Sequence, residues 1–147
     1  MRQSEFMIGG LDFKDLNASR MMETNVVTAQ PNTTWHDMAR TMTERGFGDV
    51  PIIDANKKLV GIVTEYDLLK ALMERKDINN TTAKDIMTKD VVCVTEETHA
   101  VEIINILETK HLIRLPVVRD GKLVGIVARR DILLAYLKAV EKPPGTP

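Results

Sequence analysis

The sequence contains one pattern twice, and this repeat constrains the fold more than any other feature. Lys58-Leu59-Val60-Gly61-Ile62-Val63 recurs unchanged as Lys122-Leu123-Val124-Gly125-Ile126-Val127, at an offset of 64 residues. Upstream, Met22 matches Met87 at an offset of 65, so the second copy is one residue shorter between these points. Self-similarity at a fixed period is the signature of a repeated structural unit. We therefore expect one supersecondary unit to be built twice.

Each copy has the pattern of three strands and two helices. Short β-branched runs predict strands at 26–29, 50–53 and 59–63 in the first copy, and at 91–94, 115–118 and 123–127 in the second. Apolar residues at helical spacing predict an amphipathic helix in each copy. They are Trp35, Met38, Ala39 and Met42, and then Ala100, Ile103, Ile104 and Leu107. Thr33-Thr34 and Thr98 are the predicted N-caps of these helices, and closing helices are predicted at 66–74 and 130–140.

The repeat divides the chain into five predicted segments. These are an N-terminal arm (1–17), a first repeat (18–75), a linker (76–82), a second repeat (83–140) and a disordered tail (141–147). A unit of roughly 60 residues cannot bury one face of its sheet alone. The predicted fold is therefore α/β (α+β), with two β-α-β-β-α repeats packed sheet to sheet about a pseudo-two-fold axis.

Composition argues against several functional classes. Twenty basic and 21 acidic residues leave a net charge of −1 and aromatic residues make up only 4%, which disfavours nucleic-acid binding. No apolar run approaches the length of a membrane span, and residues 1–10 lack the pattern of a secretory signal. The single cysteine, Cys93, excludes an intrachain disulfide and is expected to be a buried thiol. We expect a soluble cytoplasmic protein.

Two motifs in each copy resemble those of the CBS domain, named for cystathionine β-synthase. They are Gly48-Asp49-Val50-Pro51 with Gly61-Ile62-Val63-Thr64-Glu65-Tyr66-Asp67, and Ile113-Arg114-Leu115-Pro116 with Gly125-Ile126-Val127-Ala128-Arg129-Arg130-Asp131. Asp85-Ile86-Met87 is similar to the family's lead-in element. The resemblance covers about residues 18–140 and implies a tandem CBS pair, or Bateman module, standing alone. Such pairs bind AMP, ADP, ATP, NAD or S-adenosylmethionine in clefts between the repeats, and commonly form dimers through helix contacts.

The resemblance implies two ligand sites. Site one would combine Ile62, Thr64 and Asp67 with Asp90, Val91, Val92, Ile113, Arg114, Leu115 and Pro116. Site two would combine Ala128 and Asp131 with Asn25, Val26, Val27, Gly48, Asp49, Val50 and Pro51.

The residue chemistry agrees with this assignment. One carboxylate can accept both adjacent hydroxyls of a ribose, which suits Asp67 and Asp131. Thr64 can donate to a phosphate oxygen and Arg114 offers a planar fork for phosphate, so site one is favoured. Asp49 would repel a phosphate from site two. Arg129 and Arg130 could partly compensate there, although both are also typical surface charges.

Structural roles compete with each of these assignments. An acid at the start of a helix complements the helix dipole, so Asp67 and Asp131 could serve only as caps. Thr64 could be a strand-end cap, and the valines are strand residues first. His36, His99 and His111 share no ligand spacing, so no metal site is predicted, and no catalytic set or catalytic cofactor is evident.

The sequence therefore predicts a non-enzymatic sensor module that binds an adenosine-containing ligand and transmits its state to a partner. The alternatives are a ligand-free interaction module and an S-adenosylmethionine binder. We expect a homodimer, with the helices that begin near Trp35 and Ala100 as the candidate surface.

Overall fold

The computed structural model describes residues 7–8, 11–75 and 77–140. The elements in chain order are β1 (Met7–Ile8), β2 (Leu11–Asp12), α1 (Ala18–Met21), α2 (Trp35–Arg45), β3 (Asp49–Ile53), β4 (Leu59–Thr64), α3 (Glu65–Met73), α4 (Ala83–Ile86), β5 (Val94–Thr95), α5 (Ala100–Thr109), β6 (Arg114–Arg119), β7 (Lys122–Ala128) and α6 (Arg129–Val140). Single 3₁₀ turns lie at Phe13–Asp15 and Ile78–Asn80. Each repeat thus has the predicted order of a longer helix, a β-hairpin and a closing helix.

The chain forms two compact units. The first-repeat unit comprises Val27–Val92 and Asp120–Leu123, and the second-repeat unit comprises the described residues of Met1–Val26, Cys93–Arg119 and Val124–Pro147. Each unit has its own apolar core, so each is described separately below.

The core of the first-repeat unit lies between the β3–β4 hairpin and the helices α2 and α3. The hairpin is antiparallel, with Val50 opposite Val63 and a register irregularity between Ile52 and Ile53. The apolar stripe of α2 points inward, because Met38 and Met42 are almost fully buried. Thr34 caps α2 by accepting a hydrogen bond from the Asp37 N–H, and Gly46 ends it in the left-handed conformation at φ 71°.

The second-repeat unit repeats this plan with a three-stranded sheet in the order β5-β6-β7. Val94 and Thr95 of β5 pair in parallel with Val117 and Val118 of β6. The buried core includes Ala100, Ile103 and Leu107 of α5 and Val127 of β7. Leu16 is buried in this core, and Phe13 packs edge-on against Tyr136 with ring centroids 5.3 Å apart.

The lead-in segments are exchanged between the repeats. Glu23, near the start of the first repeat, pairs in the second-repeat unit with Ile126 through N···O distances of 2.8 and 2.9 Å. Thr88, near the start of the second repeat, pairs in the first-repeat unit with Ile62 at 2.9 Å in both directions. The predicted boundaries at 18–75 and 83–140 remain a prediction about domains, and the compact units cross them at these two segments.

Several sequence-based expectations need correction. Residues 26–28 and 91–93 have no strand pairing, because pairing begins only at Ala29, in an isolated bridge to Ile52, and at Val94. The N-cap of α5 is His99 and not Thr98, whose hydroxyl accepts a hydrogen bond from the Thr95 N–H instead.

Two side chains expected in the interior are exposed. Ile104 is 37% exposed, because the buried face of α5 carries Ala100, Ile103 and Leu107 and turns Ile104 outward. Cys93 is also exposed, since it lies before the strand and next to the buried Val94. The predicted disordered tail, 141–147, lies outside the described residues.

Candidate functional site

The start of helix α3 holds Thr64 and Asp67 in a reciprocal capping box. The Thr64 N–H donates to Asp67 Oδ2 at 2.9 Å, and the Asp67 N–H donates to Thr64 Oγ1 at 3.1 Å. Two of the helix's unpaired N–H groups are thereby satisfied. Among the described residues nothing donates to Asp67 Oδ1, and the Thr64 hydroxyl has no acceptor. The cap therefore leaves Asp67 Oδ1 able to accept a hydrogen bond and the Thr64 hydroxyl able to donate one. Both side chains are half-buried.

Helix α6 starts in nearly the same way. The Ala128 N–H donates to Asp131 Oδ2 at 2.8 Å, which matches the contact in the other repeat to within 0.1 Å. Asp131 is half-buried, and Oδ1 again receives no hydrogen bond from the part of the chain that the structure describes. Ala128 has no hydroxyl, so the start of α6 offers a ligand only the Asp131 carboxylate and no hydroxyl donor.

The first strand of each hairpin, β3 or β6, begins beside the helix start. In the first-repeat unit Asp49 lies opposite Thr64 in the hairpin, and the Glu65 N–H donates to the Gly48 carbonyl at 3.0 Å. In the second-repeat unit the Arg129 N–H donates to the Ile113 carbonyl at the same distance of 3.0 Å. A Cβ on Gly48 would lie 3.3 Å from Glu65 Oε1, so glycine permits this close approach.

The structure divides the residues predicted for each site between the two units. The first-repeat unit contains Val27, Gly48, Asp49, Val50, Pro51, Ile62, Thr64, Asp67, Asp90, Val91 and Val92. The second-repeat unit contains Asn25, Val26, Ile113, Arg114, Leu115, Pro116, Ala128 and Asp131. Val50, Pro51, Leu115 and Pro116 are buried strand residues. The predicted combinations of Thr64 and Asp67 with 113–116, and of Asp131 with 48–51, stay predictions.

The two helix starts carry opposite charge. The first turn of α3 has Glu65 and Asp67, and Asp49 begins the adjacent strand. The first turn of α6 has Arg129 and Arg130 beside Asp131, and the adjacent strand begins with Arg114. We name these the acidic helix start (Asp49, Glu65, Tyr66, Asp67) and the basic helix start (Arg114, Arg129, Arg130, Asp131).

Tyr66 was not among the residues predicted from the sequence. It occupies the repeat position of Arg130, directly before the acid, and is 76% exposed. Aligning the two copies residue by residue through the first helical turn would have identified this difference.

A cavity of about 600 Å³ lies in the second-repeat unit between α5 and the start of α6. Its lining is mostly apolar: Ile104, Leu107, Leu112, Ile113, Ile132 and Leu133, with Glu108, His111 and Arg129. Arg129 therefore faces α5.

Within residues 7–8, 11–75 and 77–140 no three His, Cys, Asp or Glu side chains come together as a metal site would require. Among the described helices none has the length and apolar character needed to cross a membrane.

Known proteins share both the repeat and the fold. An uncharacterized 17.7 kDa protein of Acidianus ambivalens is 38% identical over 120 residues, which is 81% of this chain and 72% of that protein. Other curated relatives are longer, and the chain spans 62% and 23% of two of them.

Two solved structures contain bound ligands. The structure of CBSX2 in complex with AMP is 31% identical, with a TM-score of 0.74 over 83% of this chain and 96% of that one. The CBS domain pair of MJ0100 in complex with 5′-methylthioadenosine and S-adenosyl-L-methionine is 28% identical, with a TM-score of 0.69 over 80% and 93% of the two chains.

The family model of the CBS domain matches residues 15–74 and again 83–138. These two ranges contain both hairpins and both helix starts described above, and together they span most of the chain. The chain therefore belongs to the CBS domain family, as a tandem pair of CBS repeats.

Proposed function

We propose that this CBS pair is a non-catalytic sensor that binds an adenosine-containing ligand and transmits the bound state to a partner. The observation that carries this proposal is the paired carboxylate geometry. In each repeat one oxygen of the acid is used by the helix cap, and the other is left without a donor among the described residues.

A ribose is well matched to this arrangement. Its adjacent 2′ and 3′ hydroxyls can both donate to one carboxylate, and such charge-assisted hydrogen bonds are short and strong. The cap fixes the rotamer of Asp67 and Asp131 before a ligand arrives, so little side-chain entropy is lost on binding. The AMP and S-adenosyl-L-methionine complexes of similar CBS pairs support adenosine as the shared ligand moiety.

Ligand binding can regulate only through a difference between two states. A ligand shifts a conformational equilibrium by its differential affinity for the two arrangements. We propose that the arrangement of the two repeats is the property that changes, and that AMP, ADP, ATP, NAD and S-adenosylmethionine are the candidate ligands.

A thermal-shift panel with these five compounds tests the proposal. A ligand at 100 times its Kd stabilises the folded state by about 2.7 kcal/mol, which is a clear shift in Tm. Asp67→Asn and Asp131→Asn keep a cap acceptor and remove the charge, so the shift should shrink in each variant whose site binds the ligand. Asp85→Asn is the matched control, because Asp85 caps α4 through the same contact, Thr82 N–H to Asp85 Oδ2 at 2.9 Å. No shift with any compound would contradict the proposal.

We also propose that the protein is a homodimer, with α2 and α5 as the surface expected from the sequence. On α5 the apolar side chains of Val101 and Ile104 are exposed, at 42% and 37%. Larger exposures lie on the closing helices, with Met73 of α3 at 84% and Leu133 of α6 at 66%, so these helices are the alternative surface. Light scattering at micromolar concentration should give twice the chain mass of 16.5 kDa. A monomer that binds no adenosine compound would instead favour the alternative, a ligand-free module that presents this apolar surface to another protein.

A further inference from the structure

We propose that the two helix starts select ligands of different charge: the basic helix start takes a phosphate-bearing adenosine ligand, and the acidic helix start takes one without phosphate. This inference rests on the proposed function, and it assigns the ligand class of each site.

The backbone geometry of the two helix starts is nearly the same, so a difference in ligand preference must come from their side chains. The carboxylate caps differ by 0.1 Å (2.9 and 2.8 Å), and the strand-to-helix hydrogen bonds are both 3.0 Å. A ribose would therefore be held in the same way at Asp67 and at Asp131. Any discrimination has to come from the groups that surround the acid.

The difference that decides between ligands lies in the helical turn itself. Arg129 and Arg130 occupy the positions held by Glu65 and Tyr66 in the other repeat. Arg130 is exposed and makes no hydrogen bond or ion pair through its side chain with the described residues. Arg130 directly precedes Asp131, so its exposed guanidinium is available to a ligand held by that carboxylate. Guanidinium groups bind phosphate through paired hydrogen bonds.

The charge of this first turn determines the preference for phosphate. A phosphate monoester carries between one and two negative charges at neutral pH, because its second pKa is about 6. It is therefore attracted by Arg130 at the basic helix start and repelled by Glu65 at the acidic one. Arg114 at the start of β6 and Asp49 at the start of β3 differ in the same sense, but each already has an interaction within the protein and does not act as a free charge.

Thr64 is the one group at the acidic helix start that favours phosphate. Its hydroxyl has no acceptor among the described residues and could donate one hydrogen bond. A neutral hydrogen bond is about half as strong as a charge-assisted one. One neutral donor does not offset the negative charge of Glu65, and the same carboxylate favours a neutral or cationic adenosine compound.

Calorimetric titration with AMP and with adenosine separates the two sites. Arg130→Tyr and Tyr66→Arg exchange the residues between the repeats, and Lys138→Tyr removes a positive charge elsewhere on α6 as the matched control. We expect Arg130→Tyr to weaken AMP binding about tenfold and to leave adenosine binding within twofold. Tyr66→Arg should strengthen AMP binding at the acidic helix start, and Asp131→Asn should remove the tight AMP site that Asp67→Asn preserves.

The outcomes separate this inference from the function on which it rests. An unchanged ratio of AMP to adenosine affinity in Arg130→Tyr, or loss of the tight AMP site in Asp67→Asn alone, would overturn the charge assignment while adenosine binding stands. If neither compound binds the wild-type protein, the proposed function itself is overturned.

Discussion

The sulfur of Met22 lies so close to Gly125 that a Cβ atom on this glycine would be 2.5 Å from it. The same relationship recurs in the other unit, where Met87 Cγ would be 2.8 Å from a Cβ on Gly61. Each methionine belongs to a lead-in segment, and each glycine lies in the last strand of the repeat that receives that segment. The two glycines of the repeated Lys-Leu-Val-Gly-Ile-Val sequence therefore mark where the exchanged segments dock.

Gly125→Ala should destabilise the protein by about 1–3 kcal/mol, because a methyl group would overpack a filled contact. The backbone oxygen of Glu23 lies 3.1 Å from the same position, which limits relaxation. Urea unfolding measures the change, and a double-mutant cycle with Met22→Ala tests its cause. The two substitutions should cost less together than the total of their separate effects, whereas strict additivity would show that Met22 is not the obstacle.

Ala128→Thr should stabilise the protein by about 0.5–1 kcal/mol, because it supplies the half of a capping box that α6 lacks. Thr64 already performs this role for α3 by accepting from the Asp67 N–H. The reverse substitution, Thr64→Ala, should cost about 1 kcal/mol. Chemical unfolding of both variants provides the comparison. A loss of stability in Ala128→Thr would contradict the equivalence of the two helix starts.

Acid should weaken the ion pair between Glu96 and Arg119. The hydrogen bonds from Arg119 lower the pKa of Glu96 below its usual range, with Nη2–Oε2 at 2.8 Å. A carboxyl whose pKa is lower in the folded state stabilises that state above the unfolded pKa, and this stabilisation is lost as pH falls through the folded value. Glu96→Gln should therefore be less stable than wild type at pH 7 and equal to it at low pH. A difference that persists unchanged into strong acid would show that the charge is not its source.

The Cys93 thiol should react in the native protein without denaturant, because the side chain is exposed. Partial burial raises the pKa of Cys93, so less thiolate is present at neutral pH than for an ordinary cysteine. The rate of reaction with a disulfide reagent should rise with pH through a midpoint above that of an ordinary cysteine. A thiol that reacts only after unfolding would contradict the exposed position.

The sequence predicted the elements of the fold that depend on local pattern. The stripe of α2 is confirmed by the burial of Met38 and Met42, and both hairpins have their predicted positions to within two residues at each end. Periodicity could not predict the short helices α1 and α4, because four residues are too few to show a helical period. Nor could it reveal the exchange of lead-in segments, since two similar copies offer two equivalent docking strands.

The sequence identified individual residues of the candidate site, but it did not show which of them lie together in space. Asp67 and Asp131 were identified from the repeat, and the structure adds that each leaves one carboxylate oxygen without a donor among the described residues. The sequence does not show which strand lies beside each acid. That relationship is set by hairpin pairing, which places Asp49 opposite Thr64.

Recognition of a ribose by Asp67 and Asp131 is the central claim, and removal of one ribose hydroxyl tests it most directly. Calorimetry would compare the affinity for AMP with that for 2′-deoxy-AMP, in the wild-type protein and in Asp67→Asn/Asp131→Asn. The account predicts that the deoxy compound binds wild type about tenfold more weakly, and that the double variant no longer distinguishes the two. Equal affinity of the wild-type protein for both compounds would contradict it.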